Sequence, residues 1–315
     1  MTAQRLMLLD TASLYFRAFF GVPDSVQAPD GTPVNAVRGL LDFISRLVEE
    51  YQPTHLVCCW DNDWRPQWRV DLIPSYKQHR VVAVRPGDIP DIEEVPDPLE
   101  VQIPVIIEAL NAFGICIVGA DHYEADDVIG TLATNAGMPV DIVTGDRDLF
   151  QLVDDTTEVR VLYTARGVAK HERITEHTVV EKYSVLPQQY ADFATLRGDA
   201  SDGLPGVAGV GDKTAASLLL SYGDLSGVRA AAADPGSALG PGPRGKIIAA
   251  ADYLDVAPTV VAVARDIDLG TPDSTLPSTP VDPAALARLA EHWGLNSPVE
   301  RLTKVLAGAH SVTDE

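Results

Sequence analysis

The chain has 315 residues and a net charge of −21, a balance that at face value argues against a nucleic-acid partner. A hydrophobic content of 46% and a mean hydropathy of +0.04 exclude a disordered or fibrous chain. Three cysteines exclude a disulfide framework, and the apolar run after Arg5 is too short for a signal peptide or a membrane span. We therefore expect a cytoplasmic protein without a membrane partner.

Apolar runs and helical spacing alternate through the first half of the chain. The pattern predicts strands at 6–9, 54–60, 115–118 and 140–143, and helices at 34–51, 101–113 and 124–136. Such alternation predicts an α/β fold with a mostly parallel sheet and helices on both faces.

Helical segments dominate after about residue 185, where we expect a second, smaller domain to begin. The spacing predicts helices at 187–196, 212–222, 244–253 and 284–293, and one strand at 259–267. Ala- and Gly-rich sequence at 230–245 and the stretch 270–283 are predicted to be connectors.

Three predicted strands end in an acidic residue, at Asp10, Asp61 and Asp146. The carboxyl ends of parallel strands meet at one edge of a sheet, where ligands bind. Each acid could instead cap a helix or stabilise a turn. Their joint placement makes a shared site a competing interpretation.

Two further acidic motifs are Glu124-Ala125-Asp126-Asp127 and Asp199-x-x-Asp202. A helix dipole or a solvated turn explains either motif alone, but three acids within four residues repel one another without a cation. Oxygen ligands without His or Cys predict Mg²⁺ or Mn²⁺, in two or three ions, and argue against zinc. The nine candidate ligands are Asp10, Asp61, Glu124, Asp126, Asp127, Asp146, Asp148, Asp199 and Asp202.

The glycine-rich stretch 206–215 is not a nucleotide-binding P-loop, because Asp212 separates Gly211 from Lys213 and no strand precedes it. It predicts a tight hairpin that enters a helix at residue 212. Backbone N–H groups and Lys213 would then hold a nucleic-acid phosphate without reading bases. A purely structural helix–turn–helix is the alternative.

Six motifs occur in the order found in one family: LLDTASLYFRAFF at 8–20, WDNDWRPQWR at 60–69, SYKQHR at 75–80, YEADDVIGTLA at 123–133, TGDRDLFQLV at 144–153 and LRGDASDGLPGVAGVGDKTA at 196–215. With them the chain resembles the bacterial 5′-nuclease (5′–3′ exonuclease and flap endonuclease) family, which also forms the N-terminal domain of DNA polymerase I. The resemblance implies a PIN-like nuclease domain at 1–185 with a helical arch at about 62–105. It further implies a helix–three-turn–helix DNA-binding region at 186–275 and a C-terminal extension at 276–315. Since no polymerase segment follows, we expect a free-standing nuclease.

The resemblance also implies residue roles. The nine acids match the metal site of the family, and Lys77 and Arg80 match catalytic basic residues of the arch. The DNA-binding positions are Tyr76, which can stack on a base, Arg69, Gly209, Gly211, Lys213 and Thr214. In this family the hairpin at 206–214 can also hold K⁺ through backbone oxygens that bridge to a DNA phosphate.

The implied activity is metal-dependent hydrolysis of DNA at 5′ ends, nicks and 5′-flap junctions during replication and repair. We expect a monomer that works beside replication and repair proteins such as DNA polymerase I. The alternatives are a PIN-type ribonuclease acting on single-stranded RNA and a non-catalytic protein that binds DNA structures. Comparing RNA with flap DNA would separate the first of these.

Two departures from the family pattern concern the arch. The loop after Asp61 is one residue longer and carries Trp64 and Trp68, which could stack on bases or cover the base of the arch. Residues 86–146 contain no Lys or Arg. We expect their first acids to form a solvated flank, namely Asp88, Asp91, Glu93, Glu94, Asp97 and Glu100.

Overall fold

The computed structural model describes residues 4–85 and 90–311. Within them the strands are β1 (Leu6–Asp10), β2 (His55–Trp60), β3 (Val81–Ala83), β4 (Ile92–Glu93), β5 (Cys116–Gly119), β6 (Val140–Thr144), β7 (Val159–Tyr163) and β8 (Glu172–Ile174). Six of these form one sheet in the order β5-β2-β1-β6-β7-β8, in which only β8 runs antiparallel to its neighbour. The predicted α/β fold with a mostly parallel sheet is confirmed.

The helices of the first part of the chain are α1 (Thr11–Gly21), α2 (Asn35–Tyr51), α3 (Gln67–Leu72), α4 (Asp97–Glu100), α5 (Ile103–Phe113), α6 (Ala125–Ala133) and α7 (Glu176–Tyr183). Those that follow are α8 (Tyr190–Arg197), α9 (Asp212–Tyr222), α10 (Leu225–Ala233), α11 (Pro241–Ala249), α12 (Ala251–Val261), α13 (Pro283–Trp293) and α14 (Asn296–Ser311). No helix in the described residues combines the length and apolar character needed to cross a membrane.

Helices cover both faces of the sheet because successive side chains of a strand point to opposite sides. In β1, Leu6 and Leu8 belong to a buried cluster with α6 and the helices α8 to α12, whereas Met7 and Leu9 belong to one with α2 and α5. The helices α13 and α14 complete the second face, where Leu302 is fully buried. The buried faces of α13 and α14 therefore belong to the core that supports the sheet.

Four predicted elements differ in the structure. Helix α6 ends at Ala133, three residues early, because Thr134 is extended and Asn135 has a φ of +56°. The strand predicted at 259–267 is wrong, since α12 continues through its Pro258 to Val261 and irregular backbone follows. Helix α10 extends into the expected linker at 230–245. The helix predicted at 244–253 is two helices that meet at Ala250.

The predicted arch, 62–105, is largely non-helical in the described residues. It contains α3, one 3₁₀ turn at Gln78–Arg80, the antiparallel hairpin β3–β4 and the four-residue α4. Pro66 and Pro96 are the N-caps of α3 and α4, and Pro74 follows the C-cap of α3, positions where proline is tolerated better than in a helix interior. In the described residues this segment is therefore built mainly from short helical pieces and a hairpin, and the arch at 62–105 stays a prediction.

Candidate active site

Carboxylates gather at the carboxyl edge of the sheet, as the strand ends predicted. Asp10 ends β1, Asp61 follows β2, and Asp146 comes two residues after β6. They share a cavity of about 240 Å³ with other polar side chains. The charged residues lining this cavity are Asp10, Asp61, Lys77, Arg80, Glu93, Glu124, Asp126 and Asp146. Five of the nine predicted ligands thus line one cavity beside Lys77 and Arg80, the two basic residues predicted to be catalytic.

Asp10 is held in place by two donors. Its oxygens accept hydrogen bonds from the Ser13 backbone N–H at 3.1 Å and from the Thr144 hydroxyl at 2.7 Å. Burial and the neighbouring Asp61 raise the pKa of Asp10 to about 7. The surroundings of Asp10 therefore disfavour its ionised form, and a bound cation would favour that form.

The same effect acts on the other acids of the cavity. Burial, then the charges of Asp10 and Asp146, raise the pKa of Asp126 well above its ordinary value. Burial also raises the pKa of Asp61, although its carboxylate accepts the Ala125 N–H at 2.8 Å. No cationic side chain of the chain lies within ion-pair distance of Asp10 or Asp126 in the described residues.

Three of the four remaining acids, Asp148, Asp199 and Asp202, form a neighbouring group around the turn that precedes the hairpin. Burial and the charges of Asp146 and Asp202 raise the pKa of Asp148 well above its usual range, and its Oδ1 atom is buried without a hydrogen-bond partner. Burial raises the pKa of Asp202, which pairs with Arg80 at 3.3 Å. Asp199 pairs with Arg197 at 3.2 Å.

The buried carboxylates differ in how well they could bind divalent ions. Among the described residues, no three Asp, Glu, His or Cys side chains form a compact metal cluster as placed. However, buried carboxylates that lack cationic partners, and the unpartnered oxygen of Asp148, are what a cation would satisfy. Mg²⁺ keeps several waters and needs few direct carboxylates. The residues therefore fit hydrated divalent ions with oxygen ligands.

A second set of charges lies beside the cavity and is rich in cations. Arg69 forms ion pairs with Asp127 at 2.7 Å and with Glu124 at 3.0 Å, and all three side chains are almost completely buried. Glu124 also accepts the Tyr76 hydroxyl at 2.6 Å and forms an ion pair with the Lys77 ammonium. This buried network contains Arg69, Tyr76, Lys77, Glu124 and Asp127, and we call it the arginine network.

The arginine network changes our expectations for three residues. Tyr76 is 4% exposed and Arg69 is 3% exposed, so in this structure both side chains are enclosed by protein. Asp127 is fully buried and engaged by Arg69, which removes it from the carboxylates open to an ion. Of the acids in this motif, Glu124 and Asp126 line the cavity and Asp127 does not.

Lys77 occupies an unusual backbone conformation, with φ of +47°, at the start of the 3₁₀ turn. Its N–H donates to the Asp202 carbonyl at 2.9 Å, and the Ser75 hydroxyl donates to the Gly203 carbonyl at 2.7 Å. A Cβ at Gly203, where φ is +70°, would lie 2.1 Å from the Ser75 carbonyl oxygen. The arch base and the turn at 199–203 therefore fit together through their backbones, which fixes Lys77 against the cavity.

The two arch tryptophans contact protein in this structure. Trp64 donates its indole N–H to the Asp91 carbonyl at 2.8 Å, and Trp68 donates to the His122 carbonyl at 3.0 Å. The Arg69 guanidinium lies 4.4 Å above the Trp68 ring. These contacts favour the interpretation that both rings cover the base of the arch.

The expectation of a solvated acidic flank is wrong for two residues. Asp91 forms a buried ion pair with Arg65 at 2.6 Å, and the two side chains are 7% and 2% exposed. Glu93 lines the carboxylate cavity, and burial raises its pKa. The acids that are exposed are Glu94, Asp97 and Glu100, whereas Asp88 lies outside the described residues.

The glycine-rich hairpin turns through glycines and leads directly into α9. Gly206 and Gly209 have φ of +65° and +71°, and Gly211 is the N-cap of α9. Lys213 is exposed in the first turn of this helix, and Thr214 is partly exposed. The Lys246 ammonium donates to the Gly209 carbonyl at 2.7 Å, so one of the hairpin oxygens expected for K⁺ already has a cationic partner.

Several residues at the site were missed by sequence reasoning. Thr144 orients Asp10 and also accepts the Asp146 N–H at 2.9 Å. It stands in the TGDRD motif, which was a usable signal. By contrast, nothing local in the sequence indicates the pairing of Arg65 with Asp91 across 26 residues.

Comparison with known proteins identifies the family. A family described as "5'-3' exonuclease, N-terminal resolvase-like domain" matches residues 5–184, and "5'-3' exonuclease, C-terminal SAM fold" matches residues 185–284. The chain belongs to the 5′–3′ exonuclease family. The resemblance and the class of enzyme that the motifs predicted are therefore confirmed.

Relatives of this exonuclease cover most of its length. A 5′–3′ exonuclease of Streptomyces coelicolor is 60% identical over 300 residues, which cover 95% of this chain and 99% of that protein. A 5′–3′ exonuclease of Mycobacterium tuberculosis is 50% identical over 309 residues, with 96% and 97% covered. DNA polymerase I of Mycobacterium bovis is 38% identical over 96% of this chain, which corresponds to 32% of that protein.

Solved structures share the fold of this exonuclease at low identity. The D15 protein of bacteriophage T5, crystallised with metal ions, superposes with a TM-score of 0.63 at 15% identity, covering 97% of this chain and 99% of that one. Human GEN1 in complex with Holliday junction DNA gives a TM-score of 0.65 at 16% identity, covering 99% and 74%.

Proposed function

We propose that this 5′–3′ exonuclease uses Mg²⁺ or Mn²⁺, in two or three ions, to hydrolyse DNA at 5′ ends, nicks and 5′-flap junctions. The observation that carries the proposal is the cavity lined by Asp10, Asp61, Asp126 and Asp146. None of these four carboxylates forms an ion pair with a cationic side chain in the described residues, and burial raises the pKa of Asp10 and Asp126. The T5 flap endonuclease, whose fold is similar, has been crystallised with DNA and metal ions.

Bound divalent ions supply a lowered pKa for the attacking water and charge stabilisation for the leaving oxygen. The cavity carboxylates would hold these ions, joined by the neighbouring Asp148, Asp199 and Asp202. Lys77 and Arg80 stand on the cavity wall, where they would orient the scissile phosphate and offset the charge that develops on it. Products would be a 5′-phosphate and a 3′-hydroxyl.

Duplex DNA would be held by the hairpin. Gly209 and Gly211 are exposed, and Lys213 extends from the N-terminal turn of α9, where helix N–H groups favour a phosphate. Such contacts position the backbone without reading bases, so specificity would follow the shape of the junction. K⁺ at this hairpin would compete with Lys246 for the Gly209 carbonyl.

A 5′-flap duplex with Mg²⁺ or Mn²⁺ tests the proposal. Cleavage should vanish in EDTA and fall at least about 10²-fold in Asp148→Ala, by analogy with the removal of one electrostatic stabiliser, while duplex binding persists. Asp24→Ala, which changes an exposed acid that does not line the cavity, should retain the rate of the unchanged protein.

Each other outcome identifies an alternative. Full activity in chelator would overturn the metal mechanism. Cleavage of single-stranded RNA in preference to flap DNA would indicate the ribonuclease, and duplex binding without cleavage in either metal would indicate a non-catalytic DNA-binding protein. Sedimentation with and without DNA polymerase I would test the monomeric state and this replication partner.

A further inference from the structure

Asp127 has no oxygen left for a metal ion. Its Oδ1 accepts from Arg69 Nη2 at 2.7 Å and from the Ala264 N–H at 2.8 Å, and its Oδ2 accepts from Arg69 Nη1 at 2.7 Å and from the Glu124 N–H at 3.2 Å. A carboxylate offers about four acceptor positions, so all of them are filled. The side chain is also fully buried.

Arg69 joins three parts of the chain through this carboxylate. It extends from α3 at the arch base, holds Asp127 and Glu124 at the start of α6, and donates its Nε–H to the Val260 carbonyl of α12 at 3.1 Å. Both guanidinium ends contact Asp127, a bidentate geometry that fixes orientation as well as distance. A lysine could supply the charge but not this geometry.

Glu124 transmits the placement of Arg69 to Lys77. One of its oxygens accepts from Arg69 and from the Tyr76 hydroxyl, and the other accepts from the Lys77 ammonium. Lys77 is thereby held at the cavity wall, where its ammonium also donates to the Trp64 carbonyl at 3.4 Å. Moving Arg69 or Asp127 would therefore shift Lys77 through Glu124, while neither residue pairs with Asp10 or Asp126.

We propose that Arg69 and Asp127 are positioning residues for the nuclease reaction, which act on Lys77 through Glu124, and that Asp127 is not a metal ligand. The inference rests on the proposed function for its kinetic consequence. The statement that Asp127 is not a metal ligand concerns metal binding alone, so it can be tested even if the protein does not cleave DNA.

Mn²⁺ binding to the full chain, measured by titration calorimetry without DNA, separates the adjacent acids. We expect Asp126→Asn to weaken Mn²⁺ binding about tenfold or more, and Asp127→Asn to change it less than about threefold, because only Asp126 faces the cavity. An Asp127→Asn loss as large as that of Asp126→Asn would overturn the assignment.

Kinetics on the 5′-flap duplex test the positioning role. We expect Asp127→Asn to lower kcat about 10- to 100-fold, with little change in KM for DNA or in the Mn²⁺ concentration that gives half the maximal rate. Arg69→Lys should also lower kcat, because a lysine cannot contact Asp127 through two parallel hydrogen bonds. A raised KM at unchanged kcat would show that the network serves DNA binding and overturn the proposal.

Tyr76→Phe keeps the experiment decisive if the stronger variants fail to fold. It removes only the hydroxyl that donates to Glu124, and we expect kcat to fall at least about threefold, the effect of losing about one hydrogen bond. Tyr51→Phe, which removes a hydroxyl bonded to His171 far from the cavity, is the matched control and should keep the full rate. Equal rates in both variants would contradict the role of the arginine network.

Discussion

The carboxylate cavity and the arginine network lie side by side but solve the problem of buried charge in opposite ways. In the cavity, Asp10 and Asp126 face other acids, and burial raises the pKa of each. In the arginine network, Asp127 and Glu124 are neutralised by Arg69 and Lys77 from the chain itself. Of these four acids, only Asp10 and Asp126 therefore lack a cationic partner in the described part of the chain.

Adjacent residues of one helix take part in both regions. Asp126 and Asp127 stand in the first turn of α6, where successive side chains point about 100° apart around the axis. The same rotation directs Asp126 into the cavity and Asp127 toward Arg69. A run of acids in sequence is therefore not evidence that every member shares a ligand.

The largest effect is expected when the cation of the arginine network is removed. We expect Arg69→Met to lower the free energy of unfolding by about 3–5 kcal/mol, because it leaves Asp127 buried without its charge partner. Urea unfolding monitored by circular dichroism measures the change.

Arg46→Met is the matched control for this loss. Arg46 forms a partly exposed ion pair with Glu50 on α2, at 3.9 Å, and its replacement should cost less than about 1 kcal/mol. Similar losses in both variants would mean that the burial of the Arg69 network does not distinguish it from a surface ion pair.

The pH dependence of stability tests the cavity. The folded-state pKa of Asp10 is about 7 against an ordinary value of 3.8, so the folded protein holds a proton that the unfolded chain has released. Stability of the metal-free protein should therefore fall as pH rises from about 4 to about 7, by roughly 4 kcal/mol from this group at most. The raised pKa values of Asp126 and Asp148 act in the same direction.

Urea unfolding in EDTA across this pH range measures the effect. Asp10→Asn should flatten the fall, and saturating Mn²⁺ should stabilise the ionised protein at pH 7 through linkage. A metal-free stability that is constant or that rises over the same interval would contradict the interpretation of the cavity as cation-poor.

The two regions were unequally predictable from sequence. The acids at the strand ends could be placed together because parallel strands bring their carboxyl ends to one edge, as Asp10 and Asp61 show. The arginine network depends on contacts such as Arg69 with Asp127, which lie 58 residues apart in sequence. Helical periodicity and motif spacing carry no information on such partners. The strand predicted at 259–267 failed for a related reason, since tertiary contacts of α12 outweigh the local preference of its β-branched residues.

Lys77 belongs to both regions, and its replacement should give an effect of intermediate size. We expect Lys77→Ala to slow flap cleavage about 10²-fold or more, or about 2.7 kcal/mol in activation free energy, by analogy with the removal of one electrostatic stabiliser. Single-turnover rates at saturating Mg²⁺ measure this step. Cleavage at the rate of the unchanged protein would refute the role of Lys77, and a loss that disappears at higher DNA concentration would assign it to binding instead.

The smallest effect is expected at the hairpin, which repeats the same contrast on an exposed surface. Lys246 supplies a cation to the Gly209 carbonyl, as Arg69 does for Asp127, but water screens this contact. Lys246→Met should weaken duplex binding modestly and reduce the slope of log affinity against log salt by no more than about one, the value for one phosphate contact. Binding titrations in K⁺ and in a large organic cation should also differ more for the variant than for the unchanged protein, because removal of the ammonium frees the Gly209 oxygen for K⁺. Equal behaviour of the two proteins in both salts would show that this lysine and K⁺ do not share the carbonyl.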